Sequence, residues 1–107
     1  MVQGSTGAAN QFTPKVDIQS PVTLVSSRTP TYPAAAAQAG VEGISIVRVE
    51  VSKGGSVLNA QVGKTSGDKS LDGAAVSAAK QWKFPTTVGA SGNQVIEVPV
   101  RFSLTNK

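Results

Sequence analysis

The stretch Gln94-Val95-Ile96-Glu97-Val98-Pro99-Val100-Arg101-Phe102-Ser103-Leu104 carries an apolar residue at every even position from 96 onward. Glutamate, proline, arginine and serine occupy the odd positions from 97 to 103. A period of two is typical of a β-strand with one buried and one exposed face. The sequence therefore predicts a strand at about 95–104 whose even-numbered side chains enter the core.

Pro99 limits where this strand can lie in a sheet. Proline has no N–H to donate to a neighbouring strand, so it is confined to edge strands, first positions and bulges. We therefore predict that the strand forms an edge of the sheet. Such an edge is either blunted, here by its proline and arginine, or used to accept an extended peptide from a partner as an added strand. The pattern by itself favours the first alternative.

Two more strands are predicted at about 44–52 and 56–64. They are joined as a β-hairpin by Ser52-Lys53-Gly54-Gly55, whose glycines suit a tight turn. The first of these strands has valines on one face and isoleucines on the other, so its buried face begins at either Ile46 or Val47.

The second strand of the hairpin contains one residue that breaks its alternation. Val57 has the wrong parity for the face that carries the later apolar residues. Either Val57 is partly exposed, or a bulge near Leu58 and Asn59 resets the alternation.

Two helices are predicted, at about 33–39 and 70–83. A proline opens the first helix and a glycine ends it, while Asp68 or Ser70 caps the start of the second. The second helix has one apolar stripe, formed by Leu71, Ala75, Ala78 and Trp82.

These elements predict an α+β fold in which two helices pack on one face of a three-stranded antiparallel sheet, with room for an extra N-terminal strand. Residues 1–20 are expected to be a disordered linker or the edge of an expressed fragment, with disorder over about 1–15, and residues 21–107 to be one domain. Besides Ile46 or Val47, the predicted core consists of Val49, Val51, Leu58, Ala60, Val62, Leu71, Ala75, Ala78, Trp82, Val98, Val100 and Phe102.

The segment 21–27 is expected to lie near the edge of the sheet. Its run Val22-Thr23-Leu24-Val25 predicts a weak strand at 22–26. Because this run is apolar and the predicted edge lies beside Val98 to Phe102, we expect the segment to pair on or near that edge.

The composition narrows the class of function. The ten Lys and Arg residues are scattered and the net charge is +4, without the aromatic cluster that base stacking needs, so no nucleic-acid partner is predicted. No apolar run reaches the roughly 20 residues of a membrane span, and the first residues lack the features of a signal peptide. The absence of cysteine fits an oxidising compartment and a cytosol equally well.

The side chains that most enzymes use are absent. Without histidine or cysteine, the chain has no imidazole base, no thiolate nucleophile and no common zinc site. Asp68 and Asp72 are close in sequence, but they are interpreted as charges at a helix start rather than as an acid and base pair. We predict that the protein is not an enzyme and has no catalytic residues, cofactor or metal site.

Six short motifs follow one another in a characteristic order. Together they resemble the C-terminal domain of TonB-family energy transducers over about residues 29–104. The motifs are Tyr32-Pro33, Gly40-Val41-Glu42-Gly43, Asn59-Ala60-Gln61-Val62, Leu71-Asp72-Gly73-Ala74-Ala75, Trp82-Lys83-Phe84-Pro85 and Val98-Pro99-Val100-Arg101-Phe102.

The resemblance implies a periplasmic domain that a proline-rich linker tethers to an inner-membrane helix outside this fragment. That helix couples to a proton-driven motor of the ExbB and ExbD type. The domain itself is expected to bind the TonB box of outer-membrane receptors for siderophores, haem or similar nutrients. Contact with a membrane is expected only through the missing anchor.

The resemblance also implies which residues bind the receptor. The TonB box pairs with the last strand of the domain and contacts the proline-containing stretch before the first helix. The best-known members carry glutamine where this chain has Thr29, a difference that concerns a side-chain contact and not the backbone pairing. The expected peptide-binding residues are Thr29, Pro30, Tyr32, Pro33, Glu97, Val98, Pro99, Val100, Arg101 and Phe102.

Two functions of other classes remain alternatives. One is a passive envelope adaptor with a TolA-like fold that binds a protein partner without transmitting force. The other is a basic nucleic-acid binder.

Overall fold

The computed structural model describes residues 12–90 and 92–106. Among these residues, four strands form one antiparallel sheet in the order β1-β4-β2-β3, and two helices complete the fold. The predicted α+β class is confirmed, and the extra strand that the prediction allowed for is present. The elements are β1 (Phe12–Ile18), α1 (Ala34–Gln38), β2 (Gly43–Val51), β3 (Val57–Lys64), α2 (Lys69–Ala79) and β4 (Gln94–Asn106).

The prediction that the last strand is an edge is wrong, because β1 pairs along it. The pairing runs from Phe12 opposite Asn106 to Ile18 opposite Val100, so β4 lies between β1 and β2. Pro99 is tolerated there because β1 ends one residue short of it. The expected disorder over about 1–15 is wrong for residues 12 to 15, and residues 1–11 lie outside the described residues.

The segment 21–27 does not lie on β4, contrary to the expectation. Ser26 instead forms an isolated bridge with Lys83, whose N–H donates to the Ser26 carbonyl at 2.8 Å. The weak strand expected at 22–26 is thus reduced to this bridge beyond the end of α2. A different segment, β1, covers the side of β4 that the sequence left open.

The helix α2 ends earlier than the predicted residue 83. Asp68 caps its start, where the carboxylate accepts the N–H of Ser70 at 2.7 Å. At its end, the N–H of Trp82 donates to the Ala79 carbonyl at 3.1 Å, which is the tighter three-residue spacing. The chain then leaves the helix, and Lys83 pairs with both Ser26 and Ser56.

The buried face of β2 carries Ser45 and the valine series, so the sequence alternative is settled in favour of Val47. Val47, Val49 and Val51 are fully buried, whereas Ile44 is exposed and Ile46 is half-buried. The other predicted core residues that are confirmed are Ala60, Leu71, Ala75, Ala78, Trp82, Val98, Val100 and Phe102. Phe84, Ala36 and Ala79 join this core without having been predicted.

Two residues predicted to be in the core are not buried. Leu58 is 54% exposed and Val62 is 39% exposed. Val57 pairs with Val51 while Asn59 pairs with Glu50, so Leu58 is the extra residue of a β-bulge. The second of the two explanations for the broken alternation is therefore correct, because the bulge turns Val57 toward the core and Leu58 away from it.

Candidate functional site: a strand-pairing edge on β4

The backbone of β4 presents alternate residues to its two neighbours. In an antiparallel ladder, the N–H and C=O of one residue point to the same neighbouring strand. The Gln19 N–H donates to the Pro99 carbonyl at 2.8 Å, which places Pro99, Arg101 and Ser103 on the β1 side. The Leu104 N–H is accepted by the Glu42 carboxylate at 2.7 Å, and it lies on the β2 side as this alternation requires.

This geometry explains why proline occurs inside β4. Pro99 directs its nitrogen, which carries no hydrogen, toward the β1 side rather than toward β2. The ladder between β4 and β2 is therefore continuous from Gly43 opposite Phe102 to Val51 opposite Gln94. The side of β4 on which Pro99 has no N–H to donate is the side that faces β1, and β1 pairs along most of it.

The side chains of the predicted β4 site residues divide between the two faces of the sheet. Val98, Val100 and Phe102 are buried in the core, so they cannot contact a partner without disrupting it. Glu97 and Arg101 are exposed on the opposite face, and Pro99 is half-buried. Along its β1 side, β4 therefore presents backbone groups to a partner. These are the carbonyls of residues 99, 101 and 103 and the N–H groups of residues 101 and 103.

The exposed charge of Glu97 is paired on the outer face of the sheet. Its carboxylate lies 4.0 Å from the guanidinium nitrogen of Arg48, its cross-strand neighbour on β2. Both side chains are about half exposed or more, so this ion pair contributes little stability.

Tyr32 connects the segment before α1 to β4. Its ring meets that of Phe102 in a T-shaped arrangement with the centroids 5.4 Å apart, and its hydroxyl donates to the carbonyl of Val41. Burial raises the pKa of the Tyr32 phenol, and the charges of Glu42 and Asp68 raise it further, so the hydroxyl stays protonated at neutral pH. Pro33 follows as the extended N-cap residue of α1.

Thr29 and Pro30 lie elsewhere, against α2. Together with Arg28 and Thr31 they line a shallow groove whose other wall is formed by Ala74, Ser77, Ala78 and Gln81. The indole Nε1 of Trp82 donates to the Arg28 carbonyl at 2.8 Å and fixes the start of this segment. The structure thus brings Tyr32 to Phe102, while Thr29 and Pro30 border a separate surface.

The Asp72 carboxylate is held by hydrogen bonds from the loop before α2. It accepts hydrogen bonds from the hydroxyls of Thr65 and Ser66 and from the Ser66 N–H at 2.9 Å. Burial raises the pKa of the Asp72 carboxyl, but these hydrogen bonds lower it by more, and the net pKa lies below its ordinary value. The carboxylate therefore holds the loop before α2 against the start of the helix.

Within residues 12–90 and 92–106, no group of three or more acidic, histidine or cysteine side chains could hold a metal ion. Over the same residues, no helix combines the length and the apolar character that crossing a bilayer requires.

Sequence reasoning missed β1 as the neighbour of the site. Val16-Asp17-Ile18 has the alternation of a strand, and Val16 and Ile18 do face the core. The short polar run before it and Pro14 concealed the rest of the strand.

Comparison with known proteins places these features in one family. Residues 28–104 match the family model described as Gram-negative bacterial TonB protein C-terminal. Protein TonB of Xanthomonas campestris pv. campestris strain B100 is 44% identical over 77 residues, which cover 70% of this chain and 34% of the relative. Protein tonB2 of Pseudomonas aeruginosa is 43% identical over 77 residues, covering 70% of this chain and 28% of the relative.

A third relative aligns over more of the chain. Protein TonB of Vibrio cholerae is 31% identical over 102 residues, which cover 92% of this chain and 42% of the relative. The chain thus spans less than half the length of each of these relatives. No solved structure matches it significantly.

Proposed function

The chain belongs to the family of Gram-negative bacterial TonB C-terminal domains, and on that basis we propose that it is the receptor-binding domain of a TonB-type energy transducer. In this proposal the domain works in the periplasm and binds the TonB box of an outer-membrane receptor. The remainder of the full-length protein anchors it to the inner membrane and couples it to a proton motor of the ExbB and ExbD type. The transported nutrient is of the siderophore or haem kind. The domain transmits force and performs no catalysis.

The observation that carries this proposal is the orientation of the β4 backbone. Pro99, Arg101 and Ser103 direct their backbone groups to the side of β4 away from β2, while the strand's apolar side chains fill the core. A strand with this division accepts an extended segment through main-chain hydrogen bonds and loses none of its packing.

The proposed contact surface includes the segment before α1. Tyr32 and Pro33 form the end of that segment next to α1, and the ring of Tyr32 contacts that of Phe102. Thr29 is exposed beside the groove on α2, so we propose that it contacts a more distant part of the receptor, whereas Pro30 is buried and supports this segment from within. Glu97 and Arg101 are proposed to adjust specificity from the exposed face.

A peptide titration tests this function. A synthetic receptor TonB-box peptide is added to the isotopically labelled chain, and the backbone amide shifts are followed by NMR. We expect the largest shifts at residues 94–104. Shifts centred on another surface would favour an adaptor, and shifts caused only by an oligonucleotide would favour a nucleic-acid binder.

A further inference from the structure

The strand β1 occupies the side of β4 to which the proposed function assigns the receptor. β1 pairs with β4 over seven positions, and the Gln19 N–H adds a bond to the Pro99 carbonyl. We propose that β1 competes with the receptor segment for this side of β4 and is displaced by it; this inference rests on the proposed function. The competitor and the receptor segment use the same backbone groups of Arg101 and Ser103, so both cannot be paired at once.

The side chains of β1 define what this edge accepts. Val16 lies opposite Phe102, Ile18 lies opposite Val100, and both are half-buried against the core. Lys15 is on the other face and is exposed. The edge therefore takes an extended segment with β-branched apolar residues at alternate positions, and polar residues between them.

The pairing of β1 is built to be reversible. The backbone pairing is incomplete at the Pro99 end, because Pro99 has no N–H to donate to Gln19. Residues 13 to 15 are exposed, and the described side chains of β1 reach only half-burial, whereas the three core valines of β2 are fully buried. The family match begins at residue 28, so β1 lies outside the part of the chain that defines the family.

The edge also offers an incoming strand a place to begin. β1 ends at Ile18 opposite Val100, and residues 94–98 have no strand partner on that side among the described residues. The alternation of β4 points the backbone groups of Val95 and Glu97 to the same side as those of Pro99. The receptor segment pairs first with this part of β4 and then replaces β1 residue by residue.

Two substitutions that add the same charge test the competition. Val16→Asp places a carboxylate on the core-facing side of β1 and detaches the strand, whereas Thr13→Asp places it on the exposed side. By calorimetry with a synthetic TonB-box peptide, we expect Val16→Asp to bind about tenfold more tightly than the wild type, because the edge is no longer occupied. Thr13→Asp should bind like the wild type.

A reversible crosslink provides the opposite manipulation in the full chain. Pro14 and Leu104 face each other in a pair without mutual hydrogen bonds, where the Cα atoms are close enough for a disulfide. The chain has no cysteine of its own, so Pro14→Cys with Leu104→Cys gives one defined crosslink. The oxidised form should lose peptide binding, and reduction should restore it in the same sample.

The outcomes separate this inference from the proposed function. If the oxidised and reduced forms bind equally, or if Val16→Asp binds no more tightly than Thr13→Asp, β1 does not compete and the inference is wrong. If none of the forms binds the peptide, including the reduced and Val16→Asp forms, the proposed function itself fails.

Discussion

The ring of Tyr32 stands nearly perpendicular to that of Phe102, at 89° between planes and 5.4 Å between centroids. The Tyr32 hydroxyl also donates to the Val41 carbonyl. The first contact ties the segment before α1 to β4, and the second ties it to the chain entering β2. Tyr32 therefore links the segment before α1 to β4, the two parts of the proposed site that lie in contact.

Replacing Tyr32 separates its two contacts. Tyr32→Phe keeps the ring and removes the hydrogen bond, so the free energy of unfolding should fall by about 0.5–1.5 kcal/mol. Tyr32→Ala also removes the aromatic pair and should cost about 3–5 kcal/mol. Urea unfolding measures both values. Equal losses for the two variants would mean that the ring adds nothing to the hydrogen bond.

Trp82 should be among the most important residues for stability. Its side chain is 2% exposed, and its indole nitrogen bonds the Arg28 carbonyl across 54 residues of sequence. Trp82→Ala should lower the free energy of unfolding by about 3–5 kcal/mol in chemical denaturation. A loss below about 1 kcal/mol would contradict the burial of the ring.

The glycine pair in the β2–β3 turn gives a matched comparison. Gly55 has a φ of +83°, and an added Cβ would lie 2.0 Å from the Phe84 carbonyl oxygen. Gly55→Ala should therefore cost about 2–4 kcal/mol, because the left-handed backbone and the contact with Phe84 both become strained. Gly54 lacks a positive φ and has no atom within 4 Å of an added Cβ, so Gly54→Ala should change stability by less than about 0.5 kcal/mol. Thermal unfolding of both variants tests the difference, and similar losses would contradict it.

Asp72 should make stability depend on pH at the acidic end. The pKa of its carboxyl is lower in the folded state than the value of about 3.9 expected in the unfolded chain. Its contribution is complete above about pH 4 and is lost as the pH falls through the folded pKa. Asp72→Asn should cost about 1–2 kcal/mol at pH 7, and this difference from the wild type should shrink below about pH 4. Urea unfolding from pH 7 to pH 3 measures it, and a constant difference would contradict the lowered pKa.

Side chains on the exposed face of β4 should matter little for peptide affinity. Strand addition obtains its affinity from main-chain hydrogen bonds, and Glu97 and Arg101 point away from the core on the open face. Alanine at Glu97, Arg101 or Ser103 should leave the peptide affinity within about tenfold of the wild type in calorimetry. Complete loss of binding from one of these changes, with the circular dichroism spectrum intact, would instead indicate a side-chain pocket.

The sequence alone determined the properties that depend on neighbours close along the chain. The alternation at 95–104 predicted β4 and its buried face, the glycines at 54 and 55 predicted the hairpin, and the spacing of Leu71, Ala75 and Ala78 predicted the buried stripe of α2. Each follows from the geometry of a single strand, turn or helix. The order of the motifs also carried the resemblance to the family that the chain belongs to.

The tertiary structure decided what depends on contacts between distant residues. Pro99 indicated that one side of β4 suits an edge, but Phe12–Ile18, more than 80 residues earlier, pairs there. Likewise, pairing with Val51 decided that Val57 turns inward and Leu58 outward, and the bridge to Ser26 accompanies the early end of α2. The tertiary structure also places Thr29 and Pro30 beside α2, whereas it places Tyr32 against Phe102. The physical reason is that a local pattern specifies which face of an element is apolar, whereas its neighbour is chosen by the backbone and side-chain contacts of the whole fold.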